Sequence, residues 1–204
     1  MEDGDAGQLY VTAPDGATIA AEVIVPARPA VATLLLVPGL GYGPWSWAPQ
    51  RVEFAAGYQL VLLHNRGTGQ SDAPSGPYSI DTLADDAAAV LRALGSPPTH
   101  VVGTSMGGYV SLQLAAAHPD LVASVVVIAS SPGGAGAPLA SQQPEAAARD
   151  VAVIAGQLLA SGRHLTLLAL TDNLGPALDE HPAWRRWTLP RGIGPRSPRG
   201  HRTC

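Results

Sequence analysis

The sequence predicts an α/β fold, a doubly wound and mostly parallel sheet with helices on both faces. Three observations predict it. Four short runs rich in apolar residues, Val31–Val37, Gln59–Leu63, Thr99–Gly103 and Val122–Ala129, are bounded by Gly, Pro or Asp. Runs of this kind suit parallel strands covered on both sides. Helical patterns fill the gaps between them, which is the alternation of a doubly wound sheet. Several of the runs also pass directly into glycine-containing turns, where open α/β sheets place their sites.

Taken in order, Leu9–Thr12 and Thr18–Val25, joined by Pro14-Asp15-Gly16, predict an opening hairpin. Val31–Val37 ends at Pro38-Gly39, and a weaker helical pattern covers Trp45–Ala56 before the run Gln59–Leu63. Ser79 is the expected N-cap of a helix over Ile80–Leu94, with Asp81 in its first turn and Gly95 as its stop. Thr99–Gly103 leads into Ser105, and Met106–His118 continues as a helix halted by Pro119. Beyond Ser130-Ser131-Pro132-Gly133-Gly134 the character changes. Pro144–Ala160, His164–Leu170 and Pro176–Trp187 read as helices, and no further buried strand is expected.

Composition narrows the function classes. A chain of 204 residues with 46% hydrophobic content can bury one sizeable core. Its apolar runs all fall short of the roughly 18 residues a membrane span needs. The acidic start, Met1-Glu2-Asp3-Gly4-Asp5, lacks the basic region of a secretory signal, so a cytoplasmic enzyme is the expectation. Cys204 is the single cysteine, which rules out an internal disulfide or a cysteine-rich zinc site.

Charge is distributed unevenly. All twelve cations are Arg; residues 1–183 hold six of them with all sixteen acids, and residues 184–204 hold the other six with no acid. The abrupt Arg/Pro/Gly run, in a chain without lysine, reads as GC-rich coding out of frame. A disordered native tail and a nucleic-acid arm are the alternatives. Neither a nucleic-acid nor a membrane partner is expected.

The chemistry centres on Gly103-Thr104-Ser105-Met106-Gly107-Gly108, between a buried run and a helical pattern. A serine hydroxyl is a poor nucleophile, so it must be exposed, near a base and near oxyanion donors. G-x-S-x-G achieves the exposure by setting the serine on a strained strand-to-helix turn. An ordinary Gly-Ser turn is the bland alternative. Val37-Pro38-Gly39-Leu40-Gly41-Tyr42-Gly43 follows another buried run. A turn there can aim the Leu40 N–H at the serine, beside that of Met106, to form an oxyanion hole. A phosphate loop fits less well, because neither G-x-x-x-x-G-K nor G-x-G-x-x-G occurs. The third constellation is His64-Asn65-Arg66-Gly67-Thr68-Gly69-Gln70-Ser71-Asp72. Arg66 is expected to hold this loop through backbone carbonyls, and His64 to be structural rather than a base.

Pro38-Gly39-Leu40-Gly41, Arg66-Gly67-Thr68-Gly69-Gln70-Ser71 and Gly103-Thr104-Ser105-Met106-Gly107-Gly108, in this order and spacing, resemble the α/β-hydrolase superfamily. The resemblance covers roughly residues 8–135 and is closest to small cofactor-free esterases, lactonases and haloperoxidase-like members. It implies a Ser105 nucleophile, Leu40 and Met106 as backbone oxyanion donors, and a helical cap after the strand ending near Ala129. Gly39, Gly103, Gly107, Gly108 and Arg66 would support the elbow and its loops. The family often has His where Pro38 stands and Asp where His64 stands; neither change removes a backbone donor.

The family order of serine, then acid, then histidine asks for two more strands, each followed by one of these partners. The expected organisation is a hydrolase core over 1–131, a partial helical cap over 132–187 and a basic tail over 188–204, with the last two strands missing. His164, His181 and His201, with Asp172, Asp179 and Glu180, are the downstream histidines and the acids beyond the cap's first helix. Of these, Asp172 and His201 are the candidate acid and base, on the alternative that His164–Asp172 forms a strand ending in that acid. The implied function is hydrolysis of an ester, lactone or related acyl substrate, with no cofactor and no metal. Activity is expected to be impaired by an incomplete triad. A truncated or ligand-binding relic and an acyltransferase are the alternatives. Self-association through an unpaired sheet edge is a further expectation.

Overall fold

The computed structural model describes residues 5–130 and the backbone of 164–168. Two compact units, residues 1–170 and 171–204, divide the chain, and the described residues all belong to the first. Its sheet has seven strands in the order β1-β2-β4-β3-β5-β6-β7.

The first two strands, β1 (Asp5–Thr12) and β2 (Thr18–Val25), form the predicted antiparallel hairpin. Its turn closes through Ala13 N–H to the Ala17 carbonyl at 2.7 Å, and Asp15 Oδ1 accepts the Ala17 N–H at 3.2 Å. β2 pairs antiparallel with β4 (Gln59–Leu63). From β4 onward the pairing is parallel, through β3 (Thr33–Val37), β5 (Thr99–Thr104), β6 (Val122–Ile128) and β7 (His164–Leu168). A sheet of this kind needs both faces covered. Leu34, Leu36, Leu60, Leu62 and Val102 face one side, with Ile24 and Trp47, and Phe54 packs against them. Trp47 ends a single 3₁₀ turn, Pro44–Trp47, and Phe54 lies on α1 (Ala48–Ala55). Successive strand residues point to opposite faces, so Leu35, Val61 and Val101, all fully buried, lie on the other side. There α3 (Met106–Ala117) packs on β5 and β6, and α2 (Ile80–Leu94) packs on α3. Burying each such leucine is worth about 1.5–3 kcal/mol.

α2 begins and ends as its sequence predicts. Ser79 Oγ accepts the Thr82 N–H at 3.0 Å, and Gly95, at φ 62, takes the left-handed conformation that ends the helix.

The helix expected over His164–Leu170 is a strand instead. His164–Leu168 lies parallel to β6, with Ser124 opposite His164 and Ile128 opposite Leu168. A five-residue apolar segment carries too little period to separate helix from strand, and the neighbouring β6 supplies the pairing. One of the two strands expected to be missing is therefore present, and residues 164–168 join the core sheet rather than a cap. The remainder of 132–187, the tail 188–204, Asp172, Asp179, Glu180, His181, His201 and Cys204 lie outside the described residues.

Candidate active site

The C-terminal ends of the parallel strands β3, β4 and β5 bring the three sequence motifs together. Ser105 stands between the end of β5 and the start of α3, exposed, with φ 52 and ψ −120. A non-glycine residue at such a backbone conformation is strained by about 1–3 kcal/mol. The surroundings enforce it. Ser105 N–H donates to the Ile128 carbonyl at 2.9 Å, and the Ser105 carbonyl accepts Gly108 N–H at 2.9 Å.

Three glycines let the turn close. A Cβ on Gly103 would run into the Gly107 carbonyl and Ser111 Oγ, and one on Gly107 into the carbonyls of Val37 and Pro38. A Cβ on Gly108 would stand 2.7 Å from the Ser130 side chain and 2.8 Å from that of Val127. The bare Cα of Gly107 thus lets the end of β3 press against the first turn of α3.

Gly39 follows at once. A Cβ there would lie 3.4 Å from Ser105 Cβ and 3.9 Å from Ser105 Oγ, so the loop passes within van der Waals reach of the hydroxyl. The loop curls back through Tyr42 N–H to the Gly39 carbonyl at 3.1 Å, with Gly41 at φ 72. Leu40 projects its side chain into solvent. Met106 opens α3, so its N–H is among those without an intrahelical acceptor.

A pocket of about 530 Å³ opens beside Ser105, walled by Tyr42, Trp47, Phe54, Val102 and Ile128. Tyr42 and Trp45 meet with their ring centroids 5.1 Å apart. Trp47 Nε1 is buried without a hydrogen-bond partner among the described residues.

The loop after β4 supports this arrangement from below. Arg66 is buried, but its partners are not the backbone carbonyls expected. Its Nε and Nη2 donate to the Asp86 carboxylate at 2.7 and 2.6 Å, and its Nη1 donates to Asp15 at 2.6 Å. The Tyr78 ring lies 5.7 Å from the guanidinium. Carboxylates replace carbonyls because a buried guanidinium needs countercharge as well as acceptors. The bonds to Asp86 and then Asp15 hold the guanidinium above its ordinary pKa, against its burial. The Arg66 bond in turn lowers the Asp15 carboxyl, whereas burial pushes Asp86 up against the pull of Arg66. Neither acid was singled out from sequence. Asp86 carried a signal: it is a charge on the apolar face of α2.

Asn65, 2% exposed, donates through Nδ2 to the Pro38 carbonyl at 3.1 Å. His64 is buried as a structural residue. Its Nδ1 accepts the Gln70 N–H at 3.3 Å, and burial lowers its pKa despite the nearby charge of Glu22. The other described histidines are also engaged away from Ser105. His100 Nδ1 meets Ser124 Oγ at 2.7 Å, and His118 lies between Asp85 at 2.7 Å and Arg92 at 3.1 Å. Among the described residues no group of three or more His, Cys, Asp or Glu is placed to hold a metal ion, and no helix is long and apolar enough to cross a membrane.

The profile of the alpha/beta hydrolase fold family matches residues 32–191, most of the chain. The chain belongs to the α/β-hydrolase family. Within it, a Caulobacter segnis protein named "Putative carbamate hydrolase RutD" is 42% identical over 97 residues, 47% of this chain and 36% of the relative. A Mycobacterium tuberculosis protein named "Putative non-heme bromoperoxidase BpoC" is 33% identical over 99 residues, 48% of this chain and 37% of that one. The chain therefore covers little more than a third of these relatives' length. Among solved α/β hydrolases, the esterase RhEst1 from Rhodococcus sp. ECU1013 superposes with a TM-score of 0.57 at 30% identity, over 62% of this chain and 47% of its own. The epoxide hydrolase CorEH, at 21% identity and a TM-score of 0.58 over 66% of this chain and 47% of its own, shares the fold.

Proposed function

We propose that this chain is a serine hydrolase of an ester, lactone or related acyl substrate, with Ser105 as its nucleophile. The observation that carries the reading is the exposed Ser105 at positive φ, with the Gly39 loop in van der Waals reach of its hydroxyl. Ser105 Oγ attacks the acyl carbonyl, and the N–H groups of Leu40 and Met106 stabilise the oxyanion. The serine proton passes through a base to the leaving alkoxy oxygen as the acyl C–O bond breaks. Water, giving a proton through the same base to the serine oxygen, then cleaves the acyl-serine to the acid. Asp172 follows the end of β7 by four positions in sequence and is the candidate acid; His201 is the candidate base. The apolar and aromatic wall of the pocket favours an apolar acyl group. The esterase RhEst1 and the carbamate hydrolase name of the relatives support acyl chemistry of this class.

A non-catalytic, ligand-binding role is the second reading; His64, His100 and His118 are bonded to groups other than Ser105. Fluorophosphonate labelling followed by intact-mass analysis separates the two. One adduct, absent in Ser105→Ala, is the expected result. An unlabelled folded chain would overturn the hydrolase reading.

A further inference from the structure

We infer that Asn65 is a positioning residue for the oxyanion loop, its side-chain amide setting the orientation of the peptide that leads to the Leu40 N–H. The inference rests on the hydrolase reading above and names a residue that reading does not use. Parallel pairing sets Leu36 beside Leu62, so Pro38 and His64 leave the two strands in step and Asn65 follows one residue on. Pro38 has no N–H, and the strand ladder stops before it. Its carbonyl would be left without a partner, and Asn65 Nδ2 takes it at 3.1 Å. Gly107 also approaches this carbonyl so closely that a Cβ there would not fit. The Pro38–Gly39 peptide is thus held by the Asn65 bond and by the close approach of Gly107, and its plane dictates where the next residues can go.

Asn65 is itself fixed. Its backbone carbonyl accepts the Thr68 N–H at 2.9 Å and Thr68 Oγ1 at 2.6 Å, and the adjoining Arg66 is tied to Asp86 and Asp15. The amide cannot be flipped, because Oδ1 would then face the Pro38 carbonyl. In the orientation that donates to Pro38, Oδ1 is buried with no partner among the described residues. Among the described residues, the bond that the asparagine side chain makes is the one to Pro38.

The test compares the full-length wild type with Asn65→Leu, which removes donor and orphan oxygen together, and with Asn65→Asp, which keeps the shape but not the donor. The expected result is a folded Asn65→Leu with three changes. Amide exchange over residues 39–43 quickens, fluorophosphonate labelling of Ser105 slows at least about tenfold, and kcat for p-nitrophenyl acetate falls with KM unchanged. Asn65→Asp behaves in the same way at neutral pH. Unchanged exchange over 39–43 would overturn the inference, as would faster exchange with an unchanged labelling rate. Should Asn65→Leu fail to fold, Asn65→Asp decides by the same readouts. A wild type that never labels at Ser105 would instead sink the hydrolase reading, and the inference with it.

Discussion

Arg66 and Asp86 form a two-bond ion pair with both side chains nearly inaccessible, 4% and 1% exposed. The pair joins the loop after β4 to the middle of α2, and Asp15 extends it to the first hairpin. Three segments distant in the chain are locked together below the candidate site.

Removing one partner leaves a buried charge unpaired. Asp86→Ala is therefore expected to lose about 3–5 kcal/mol, whereas Arg66→Met combined with Asp86→Leu loses much less. Urea unfolding of the two variants measures the difference. An Asp86→Ala within about 1 kcal/mol of the wild type would contradict the coupling. Asp15 is half exposed and already solvated, so Asp15→Ala should cost far less than Asp86→Ala.

The strain at Ser105 gives a stability test that needs no substrate. Glycine tolerates positive φ and alanine does not. Ser105→Gly should gain about 1 kcal/mol and raise the melting temperature by about 2–4 °C, while Ser105→Ala gains nothing. Calorimetry of both decides, and equal melting temperatures would mean that Ser105 is not held at φ 52.

The glycines of the site are not equivalent. A methyl on Gly107 collides with backbone, which cannot yield, so Gly107→Ala should unfold or fail to express. Gly39→Ala meets only ordinary contact distances, 3.4 Å to Ser105 Cβ and to the Thr104 carbonyl, and should fold with a near-normal melting temperature. It should nonetheless slow Ser105 labelling, since the methyl crowds the hydroxyl. Gly107→Ala with normal stability would refute the close packing of β3 on α3.

Much of this architecture was legible because its signals are local. Ser79 and Gly95 bound α2 through a cap and a left-handed turn, and β2 and β4 begin and end where their apolar runs do. The Gly39 loop and Ser105 could be brought together from sequence because both follow buried parallel strands. The partners of Arg66 could not, since Asp86 is 20 residues away and Asp15 is 51. β7 was hidden for the same reason: His-Leu-Thr-Leu-Leu fits either period, and its state depends on β6, some forty residues earlier in the chain. Amide exchange over 164–168 should accordingly be slow, as in a paired strand. Rapid exchange there would argue against the seventh strand.

His64 supplies a pH signature. Burial lowers its pKa below the ordinary 6.5, so the unfolded chain binds its proton more tightly than the folded one. Stability should therefore be complete above about pH 6.5 and decline as the pH falls from there through the folded value. The neutral ring is needed because Nδ1 accepts the Gln70 N–H, and Glu22, 3.9 Å from Nε2, offsets only part of the cost of charging it. Asparagine can offer an acceptor in place of Nδ1 and does not titrate, so His64→Asn should lack the decline. The difference between the two stability curves removes the contributions of Asp15 and Asp86, which both proteins share. Urea midpoints at half-unit intervals from pH 7.5 to about pH 5 make the comparison. Parallel curves for the two proteins would mean that His64 keeps an ordinary pKa and is not buried as a neutral ring.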